Sequence, residues 1–306
     1  MQSAETIRDA NVRYHDLAAE HYDSKWGISY GEVGQAQVVG KLRKALGYEP
    51  GRYGRALEIG AGTGYFSLNL LRAGVVGEAV ATDISPGMLS RLERSAAELG
   101  LSVETAACEA AELPFDDGSF DLVFGHAVLH HLPDLPGAFR EFGRVLRPGG
   151  VMAFCGEPSH YGDRIAAWPK RGANAAAPLW RALMRARPRP SNGHGDHANC
   201  GWSEEHGLEQ VVDVHAFTPR ELGAHAEAAG LESVRVSGEE LAASLFGWTN
   251  RTLEASAHPV DVPWAWRVYA YRGYLLLQTL DRSVLEPRLP AALFYNLLLS
   301  ARVPSS

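Results

Sequence analysis

The chain has few cysteines. Its 306 residues include only three, Cys108, Cys155 and Cys200. They are odd in number, far apart and form no Cys-x-x-Cys motif, so we expect reduced thiols rather than a disulfide framework. Residues 1–13 contain no apolar stretch of the kind found in a signal peptide. Together these absences predict a cytoplasmic protein.

The chain also lacks an excess of positive charge and a long apolar run. Its 29 Lys and Arg residues against 36 Asp and Glu residues give a net charge of −7, which argues against nucleic acid as a partner. No stretch reaches the roughly 18 unbroken apolar residues that suggest a membrane-spanning helix, so no integral membrane association is expected. A hydrophobic content of 46% is ordinary for a globular enzyme.

A glycine-rich turn is the most informative feature that the chain does have. Residues 55–71 read RALEIGAGTGYFSLNLL, which predicts a buried strand, a sharp turn at Gly60, Gly62 and Gly64, and an amphipathic helix. Glycines let the backbone turn and approach a ligand closely. The N-terminus of the helix directs unpaired N–H groups into the turn. The stretch therefore predicts a site for a nucleotide-like cofactor.

Predicted strands and helices alternate from residue 55 onward, which is typical of a parallel sheet covered by helices on both faces. A helix that begins with a capping box at Thr218 and Glu221 precedes the sixth strand. Residues 240–288 are helical and rich in aromatic side chains. The predicted strands are 56–59, 78–82, 102–106, 120–124, 151–155, 231–236 and 293–302.

Acidic side chains at predicted strand ends narrow the choice of cofactor. Asp83 ends the second strand, where it could bind a ribose diol or serve only as a helix N-cap, a role for which Ser85 competes. Glu109, just after the third strand, could accept a hydrogen bond from an exocyclic amine.

The glycine spacing differs from a dinucleotide fingerprint. That fingerprint is GxGxxG, whereas here Gly60, Gly62 and Gly64 alternate with single residues. Glu58, at the end of the first strand, would repel a pyrophosphate and suits an ammonium group. S-adenosylmethionine (SAM) has an ammonium group, a ribose diol and no phosphate. A nicotinamide-dependent oxidoreductase and a non-catalytic SAM-binding protein stay open as alternatives.

At this point several segments resemble one family, the class I SAM-dependent methyltransferases, and within it the type 11, UbiE-like small-molecule branch. The resemblance covers about residues 55–157. The matching segments are 58–64 (EIGAGTG), 81–89 (ATDISPGML), 112–123 (ELPFDDGSFDLV), 127–134 (AVLHHLPD) and 144–150 (RVLRPGG).

The resemblance implies a Rossmann-like α/β fold with a seven-stranded, mostly parallel sheet whose last strand is antiparallel. It also implies roles for individual residues. Tyr22 resembles an N-terminal lid tyrosine that closes over the cofactor. The other implied SAM-binding residues are Glu58, Gly60, Ala61, Gly62 and Gly64 at the methionine end, Asp83 on the ribose, Ile84, Met88, Glu109 and Ala110 around adenine, and Gly125 and His126 beside the methionine part.

The chain departs from a minimal methyltransferase outside this core. The predicted organisation is an N-terminal helical cap (1–50), the SAM-binding core (51–157), an insertion on the acceptor side (158–215), the core continued (216–238), a helical aromatic-rich extension (239–290) and the last strand and tail (291–306). We expect most aromatics of the extension to form its core, and a few to line an apolar acceptor pocket. A membrane-surface role is less favoured because Lys and Arg do not cluster along 240–288.

Methyl transfer to a small-molecule acceptor is an in-line displacement, so positioning supplies much of the rate. A base is needed only when the acceptor loses a proton. His126, His130, His131 and His160 are candidates by position, and His126 or His131 is the predicted choice. No metal is expected, because the histidines between His194 and His215 match no standard zinc spacing.

Overall fold

A computed structural model describes residues 9–13, 15–16, 28–189 and 215–305. A seven-stranded sheet with strand order β3-β2-β1-β4-β5-β7-β6 runs through it. β1 pairs in parallel with β2 and β4, and the last strand is antiparallel, as predicted. The strands are Tyr53–Ile59 (β1), Val76–Asp83 (β2), Glu104–Ala107 (β3), Phe120–His126 (β4), Leu146–Pro158 (β5), Glu232–Glu239 (β6) and Asn296–Arg302 (β7).

Helices flank this sheet, and several begin at side chains that cap them. The capping box predicted at Thr218 is present, with both the Thr218 and Glu221 hydrogen bonds formed. Ser85, Asp134 and Ser159 cap three other helices. The helices are Glu32–Leu46 (α1), Tyr65–Arg72 (α2), Pro86–Glu98 (α3), Leu135–Val145 (α4), His160–Met184 (α5), Pro219–Ala228 (α6), Ala242–Ala255 (α7) and Trp264–Leu280 (α8).

The core lies on both faces of the sheet, because alternate residues of the central strands point to opposite sides and both sets are apolar. On one face, Leu122 and Phe124 of β4 pack in a cluster with Val38 and Leu42 of α1 and Phe66 of α2. The central strands are therefore fixed from end to end, and the loops at their carboxyl ends start from rigid positions.

The chain divides into two compact units. The core unit comprises Met1–Glu157, Asn199–Val236 and Leu298–Ser306, and the helical unit comprises Pro158–Ala198 and Ser237–Leu297. None of the helices in the described ranges is both long and apolar enough to cross a membrane.

In the helical unit, α7 lies against α5 and α8. A separate apolar cluster holds these helices together and includes Trp180, Leu253 and Val262. The helical insertion predicted after the fifth strand is α5, a 25-residue helix that contains Pro169 and Pro178.

Candidate cofactor and active site

The strand order reverses between β1 and β4, and in open α/β sheets ligands bind beside the carboxyl ends of the strands at this point. Ile59, the last residue of β1, is in register with Thr82 on one side and with Gly125 on the other. The glycine turn, the end of β2 and the end of β4 therefore lie at the same edge of the sheet.

The glycine turn has the backbone that the sequence predicts. Gly60, Gly62 and Gly64 all have positive φ angles, of 64°, 52° and 88°, a region that side-chain-bearing residues rarely adopt. At Gly60 there is a second requirement, because a Cβ there would overlap the side chain of Val128. The turn thus needs glycine for its conformation and, at Gly60, for close packing against the loop after β4.

Asp83 connects the end of β2 to the glycine turn. Its Oδ2 accepts a hydrogen bond from the Gly62 N–H at 2.8 Å, and its Oδ1 accepts one from the Ser85 N–H at 2.9 Å. Ser85 itself is the N-cap of α3, accepting from the Met88 N–H at 3.1 Å. Burial raises the pKa of the Asp83 carboxyl, and the amides that donate to it offset part of that rise.

Glu58 is buried near the end of β1, two residues before Gly60. Its Oε2 accepts hydrogen bonds from the Ser67 N–H at 3.0 Å and from the Ser67 hydroxyl. Burial raises the pKa of the Glu58 carboxyl to about 8, although the two bonds from Ser67 act in the opposite direction. A carboxyl that is costly to ionise when buried alone favours a cationic ligand group beside it. Ser67, nine residues along the chain, is a partner that the sequence analysis did not identify.

The residues predicted around adenine lie at the ends of β2 and β3. Met88 is fully buried in the first turn of α3, and Ile84 is half-buried. Glu109 and Ala110 follow β3 and are half-buried. The Cys108 N–H donates to the carbonyl oxygen of the last residue of β2 at 3.3 Å, which keeps the chain after β3 beside the chain after β2.

An N-terminal segment contacts the start of α3, next to the end of β2. Tyr22, the predicted lid residue, lies outside the described residues. Asp16 Oδ1 accepts hydrogen bonds from the Ser85 hydroxyl at 2.5 Å and from the Gly87 N–H at 3.1 Å. Residues 9–13 and 15–16 are helical. The sequence gives no local signal for the Asp16 contact, because 69 residues separate Asp16 from Ser85.

The end of β4 carries Gly125 and His126. The His126 ring stacks on Phe66 of α2, with ring centroids 4.8 Å apart, and a Cβ at Gly156 would lie 2.8 Å from its Nε2. Ala127 follows with a positive φ of 53°, a conformation that costs free energy in any residue other than glycine. This strained residue ends β4 and directs the following loop toward the glycine turn.

Glu157, at the end of β5, holds the next loop in place. Its buried carboxylate accepts hydrogen bonds from the Val128, Leu129 and His130 N–H groups at 2.9, 3.1 and 3.2 Å, and its Oε2 lies 2.8 Å from Nδ1 of His130. Burial alone would raise the pKa of Glu157, but the hydrogen bond and charge of His130, with the amides, lower it. One buried acid therefore fixes both the loop backbone and the orientation of the His130 ring.

His131, the other predicted base, lies in a group of histidines. Its ring is 3.9 Å from the His130 ring and 5.8 Å from the His15 ring, centroid to centroid. Burial and the nearby charges of His131 and His130 lower the pKa of His15 to about 3. The His215 N–H donates to the carbonyl oxygen of His130 at 3.2 Å. The charges of His130 and His131 therefore disfavour protonation of His15.

These residues fit SAM better than they fit a dinucleotide. A buried acid, Glu58, lies two residues before Gly60, where a pyrophosphate would be repelled and an ammonium group stabilised. The loop after β4 packs closely on the turn, because a Cβ at Gly60 would overlap the side chain of Val128. A second buried carboxylate, Asp83, lies one strand away. Which ligand atom each residue contacts stays a prediction.

Comparison with known proteins agrees with this geometry. A family model described as "Methyltransferase domain" (Methyltransf_11) matches residues 57–154. Malonyl-[acyl-carrier protein] O-methyltransferase of Methylococcus capsulatus is 32% identical over 243 residues, covering 79% of this chain and 77% of that protein. The protein of the same name from Halorhodospira halophila is 37% identical over 169 residues, covering 53% of each chain. The match thus spans about half the length of the second relative.

Solved structures share the fold. The chain aligns with phosphoethanolamine N-methyltransferase 2 of Haemonchus contortus, solved with phosphomonomethylethanolamine and S-adenosylhomocysteine, at a TM-score of 0.57 and 17% identity. The alignment covers 99% of this chain and 61% of that one, and at this identity it supports the fold alone. The matched family and both sequence relatives are methyltransferases, so the nicotinamide-dependent alternative is not favoured. The chain belongs to type 11 of the class I SAM-dependent methyltransferases, and SAM is its cofactor.

Proposed function

We propose that this methyltransferase acts on an oxygen atom of a small-molecule acceptor with a partly apolar body, and that His130 takes the proton when that oxygen is a hydroxyl. The observation that carries the proposal is the Glu157–His130 pair beside the glycine turn. The names of both sequence relatives, which are O-methyltransferases, support transfer to oxygen.

The chain's own residues have three tasks in this reaction. Bound SAM would supply an electrophilic methyl group, which the acceptor oxygen attacks in line while the methyl–sulfur bond breaks and S-adenosylhomocysteine leaves. Glu58 and Asp83 hold the two ends of the donor site, one for an ammonium group and one for a ribose diol. Val128 packs against Gly60, and Leu129 is fully buried, so this side of the site excludes water and fixes the distance between reactants.

His130 suits proton transfer better than the other histidines do. When the ring of His130 is neutral, its Nδ1–H donates to the Glu157 carboxylate, which places the basic lone pair of the ring on Nε2. A carboxylate that orients the ring and stabilises its cation is the arrangement that general bases use. His126 is stacked on Phe66 under the sheet edge, which favours a structural role for it. The His131 ring lies against the His130 ring, with ring centroids 3.9 Å apart.

A second acceptor is supported by the relatives' printed names. A malonyl group attached to a carrier offers a carboxylate, which is already ionised at neutral pH and needs no base. In that case His130 would act only as part of the loop that Glu157 holds. The two acceptor types therefore predict different products and different sensitivity to changes at His130.

Transfer of a tritiated methyl group from SAM tests the proposal. The acceptors are a long-chain alkyl catechol, the malonyl thioester of N-acetylcysteamine and a cell-extract metabolite pool. Alkali treatment then separates the products, because a methyl ester releases volatile methanol and a methyl ether retains its label. Alkali-stable label on the catechol or on a pool component supports the hydroxyl acceptor. Alkali-labile label supports the carboxylate acceptor. The absence of any labelled product would instead support a non-catalytic SAM-binding protein.

We also propose that part of the acceptor is apolar, because residues 239–290 are rich in aromatic side chains. We further propose that the protein is cytoplasmic, because its thiols are predicted to be reduced. Within the described residues, neither Cys108 nor Cys155 forms a disulfide. The loop around His194 lies outside the described residues.

A further inference from the structure

Large apolar side chains are exposed very unevenly between the two units. Fifteen are exposed among the described residues, and all but Val33 and Tyr48 belong to the helical unit. Apolar exposure concentrated in this way marks an interaction surface rather than the scattered exposure of an ordinary protein surface. The thirteen are Tyr161, Trp168, Leu179, Leu183, Val260, Trp264, Tyr269, Tyr271, Leu275, Leu276, Leu280, Val284 and Leu293.

Helix α8 contributes the largest share. None of its residues is buried, and its exposed side chains recur at helical spacing, as with Trp264 (78% exposed), Tyr271 and Leu275. Arg267 and Arg272 are exposed among them. The helix contains no acidic residue between Trp264 and Leu280. Its outer face is thus aromatic, aliphatic and basic.

Helix α5 has a face of the same kind. Its inner side packs through Ala173, Ala177 and Trp180. Its outer side exposes Trp168 (75%) and Leu183 (69%), together with exposed arginines such as Arg164 and Arg171. Two helices of one unit therefore combine exposed tryptophan with exposed arginine.

The charge of the helical unit is opposite to that of the chain. The described part of the unit carries 12 Lys and Arg residues and 7 Asp and Glu residues, whereas the whole chain has a net charge of −7. Its acids are also withdrawn from the surface. Glu239, Glu240 and Asp281 are buried, and Asp261 is paired with Arg187 at 2.7 Å.

We propose that the outer faces of α5 and α8 bind the surface of an anionic phospholipid bilayer. Tryptophan and tyrosine favour the boundary between lipid headgroups and acyl chains. Arginines next to them are attracted to anionic headgroups, and together these features define helices that lie in the plane of a membrane surface. The sequence disfavoured this role because Lys and Arg do not cluster along 240–288. The structure changes that view by showing which side chains are exposed and that Glu239, Glu240 and Asp281 are buried.

The positive charge of these helix faces favours an anionic bilayer over a second copy of the chain as the binding partner. Arg272 is exposed on α8, and Arg282 is exposed in the turn that directly follows it. A two-fold interface would place these arginines of one copy against the same face of the other, where like charges repel. Among the described residues, neither arginine forms an ion pair. An acidic, partly apolar protein is the remaining occupant, and the experiment separates it from lipid. The proposal does not depend on which acceptor is methylated.

Sedimentation of the full chain with vesicles tests the proposal, using phosphatidylcholine alone and phosphatidylcholine mixed with phosphatidylglycerol. We expect binding to the anionic vesicles that weakens as salt is added. The double variant Arg272→Glu/Arg282→Glu should bind at least tenfold less well. Trp264→Ser/Leu276→Ser, and Trp168→Ser/Leu183→Ser on α5, should each weaken binding about fivefold or more.

Matched controls lie in the core unit. Val33→Ser removes an apolar side chain that is 62% exposed on α1, and Arg220→Glu reverses an exposed charge on α6. Both should bind vesicles as the unmodified chain does. Calorimetry with SAM on every variant checks that the core unit is intact, so a loss of vesicle binding with normal SAM binding supports the proposal.

Several results would overturn it. These are no binding to anionic vesicles, equal binding with and without phosphatidylglycerol, or equal loss in the core-unit controls. A dimer in light scattering that Trp264→Ser/Leu276→Ser dissociates would assign the face to a second copy. Binding to an acidic acyl carrier protein without any vesicle binding would assign it to a protein partner.

Discussion

The carboxylate of Glu157 lies 2.8 Å from Nδ1 of His130, at the point where the loop after β4 meets the end of β5. The same carboxylate accepts three consecutive backbone N–H groups of that loop, from Val128 to His130. Hydrogen bonds to a charged group are each worth about 1.5–3 kcal/mol. A single buried side chain thus fixes the loop that covers the glycine turn and orients the imidazole beside it.

This pair predicts how changes at His130 act. His130→Gln should lower the single-turnover methyl transfer rate to the alkyl catechol by about 10² or more, since a general base contributes 10²–10⁴. The SAM dissociation constant should stay within about threefold of the unmodified value. Glu157→Gln should give a smaller loss of rate and a lower free energy of unfolding, because an amide cannot accept all four hydrogen bonds.

The control for these variants is His258→Gln, which changes a histidine of the helical unit. It should leave the rate and its pH dependence unchanged. A His130→Gln enzyme that methylates the catechol at the normal rate would exclude His130 as the base.

Glu58 predicts that SAM binding depends on pH. Burial holds the pKa of its carboxyl near 8, so below that pH the carboxyl must lose a proton before it can pair with an ammonium group. SAM affinity should therefore rise between pH 6 and pH 8, by up to about tenfold per unit. Calorimetry at pH 7 in buffers of different ionisation enthalpy should detect the released proton. In Glu58→Gln both effects should be lost, and persistence of the proton release there would assign it to another group.

The stability of the protein without ligand should change in the opposite direction. The pKa of Glu58 is about 8 in the folded protein and 4.5 as the ordinary value, so the folded state holds the proton over this range. The contribution of the Glu58 carboxyl to the free energy of unfolding is fully present below about pH 4.5 and is lost as pH rises through about 8. Urea unfolding between pH 5 and pH 8 measures it. The difference between the unmodified protein and Glu58→Gln should vary with pH in this sense.

The glycine turn predicts a graded response to alanine. Gly62 has a φ of 52° and no neighbour within 4 Å of an added Cβ, so Gly62→Ala should cost only the conformational strain, about 1–2 kcal/mol. Gly60→Ala adds overlap with Val128 and should cost about 2–4 kcal/mol. Gly40→Ala, in the open middle of α1, should instead stabilise by about 0.5–1 kcal/mol. Urea unfolding without ligand gives all three values, and equal costs at Gly60 and Gly62 would contradict the packing of Val128.

Local patterns predicted much of the core unit. The glycines at 60, 62 and 64, the cap at Ser85 and the capping box at Thr218 each depend on residues a few positions apart, and the structure contains all of them. Strand boundaries differ by a few residues. The last strand begins at Asn296 rather than at residue 293, because residues 291–293 form a short 3-10 turn.

Contacts between distant segments could not be predicted in this way. Glu157 is 27 residues from His130, and Asp16 is 69 residues from Ser85. No sequence spacing marks either pair, since each depends on which strand ends meet at the sheet edge. Sequence reasoning therefore chose His126 or His131 among four candidate histidines, whereas the buried carboxylate beside Nδ1 of His130 favours His130. Exposure of Trp264 and Trp168 is likewise a property of packing rather than of composition.

Calorimetric titration with SAM and with NADH measures the donor site most directly, using the unmodified protein and Asp83→Ala. Asp83→Ala removes the two hydrogen bonds to Gly62 and Ser85 as well as the predicted ribose contact, and a thermal melt checks that it folds. The expected result is binding of SAM, no heat with NADH, and a SAM dissociation constant at least tenfold weaker in Asp83→Ala. Binding of NADH without SAM, or SAM affinity unchanged in Asp83→Ala, would contradict the assignment of this site.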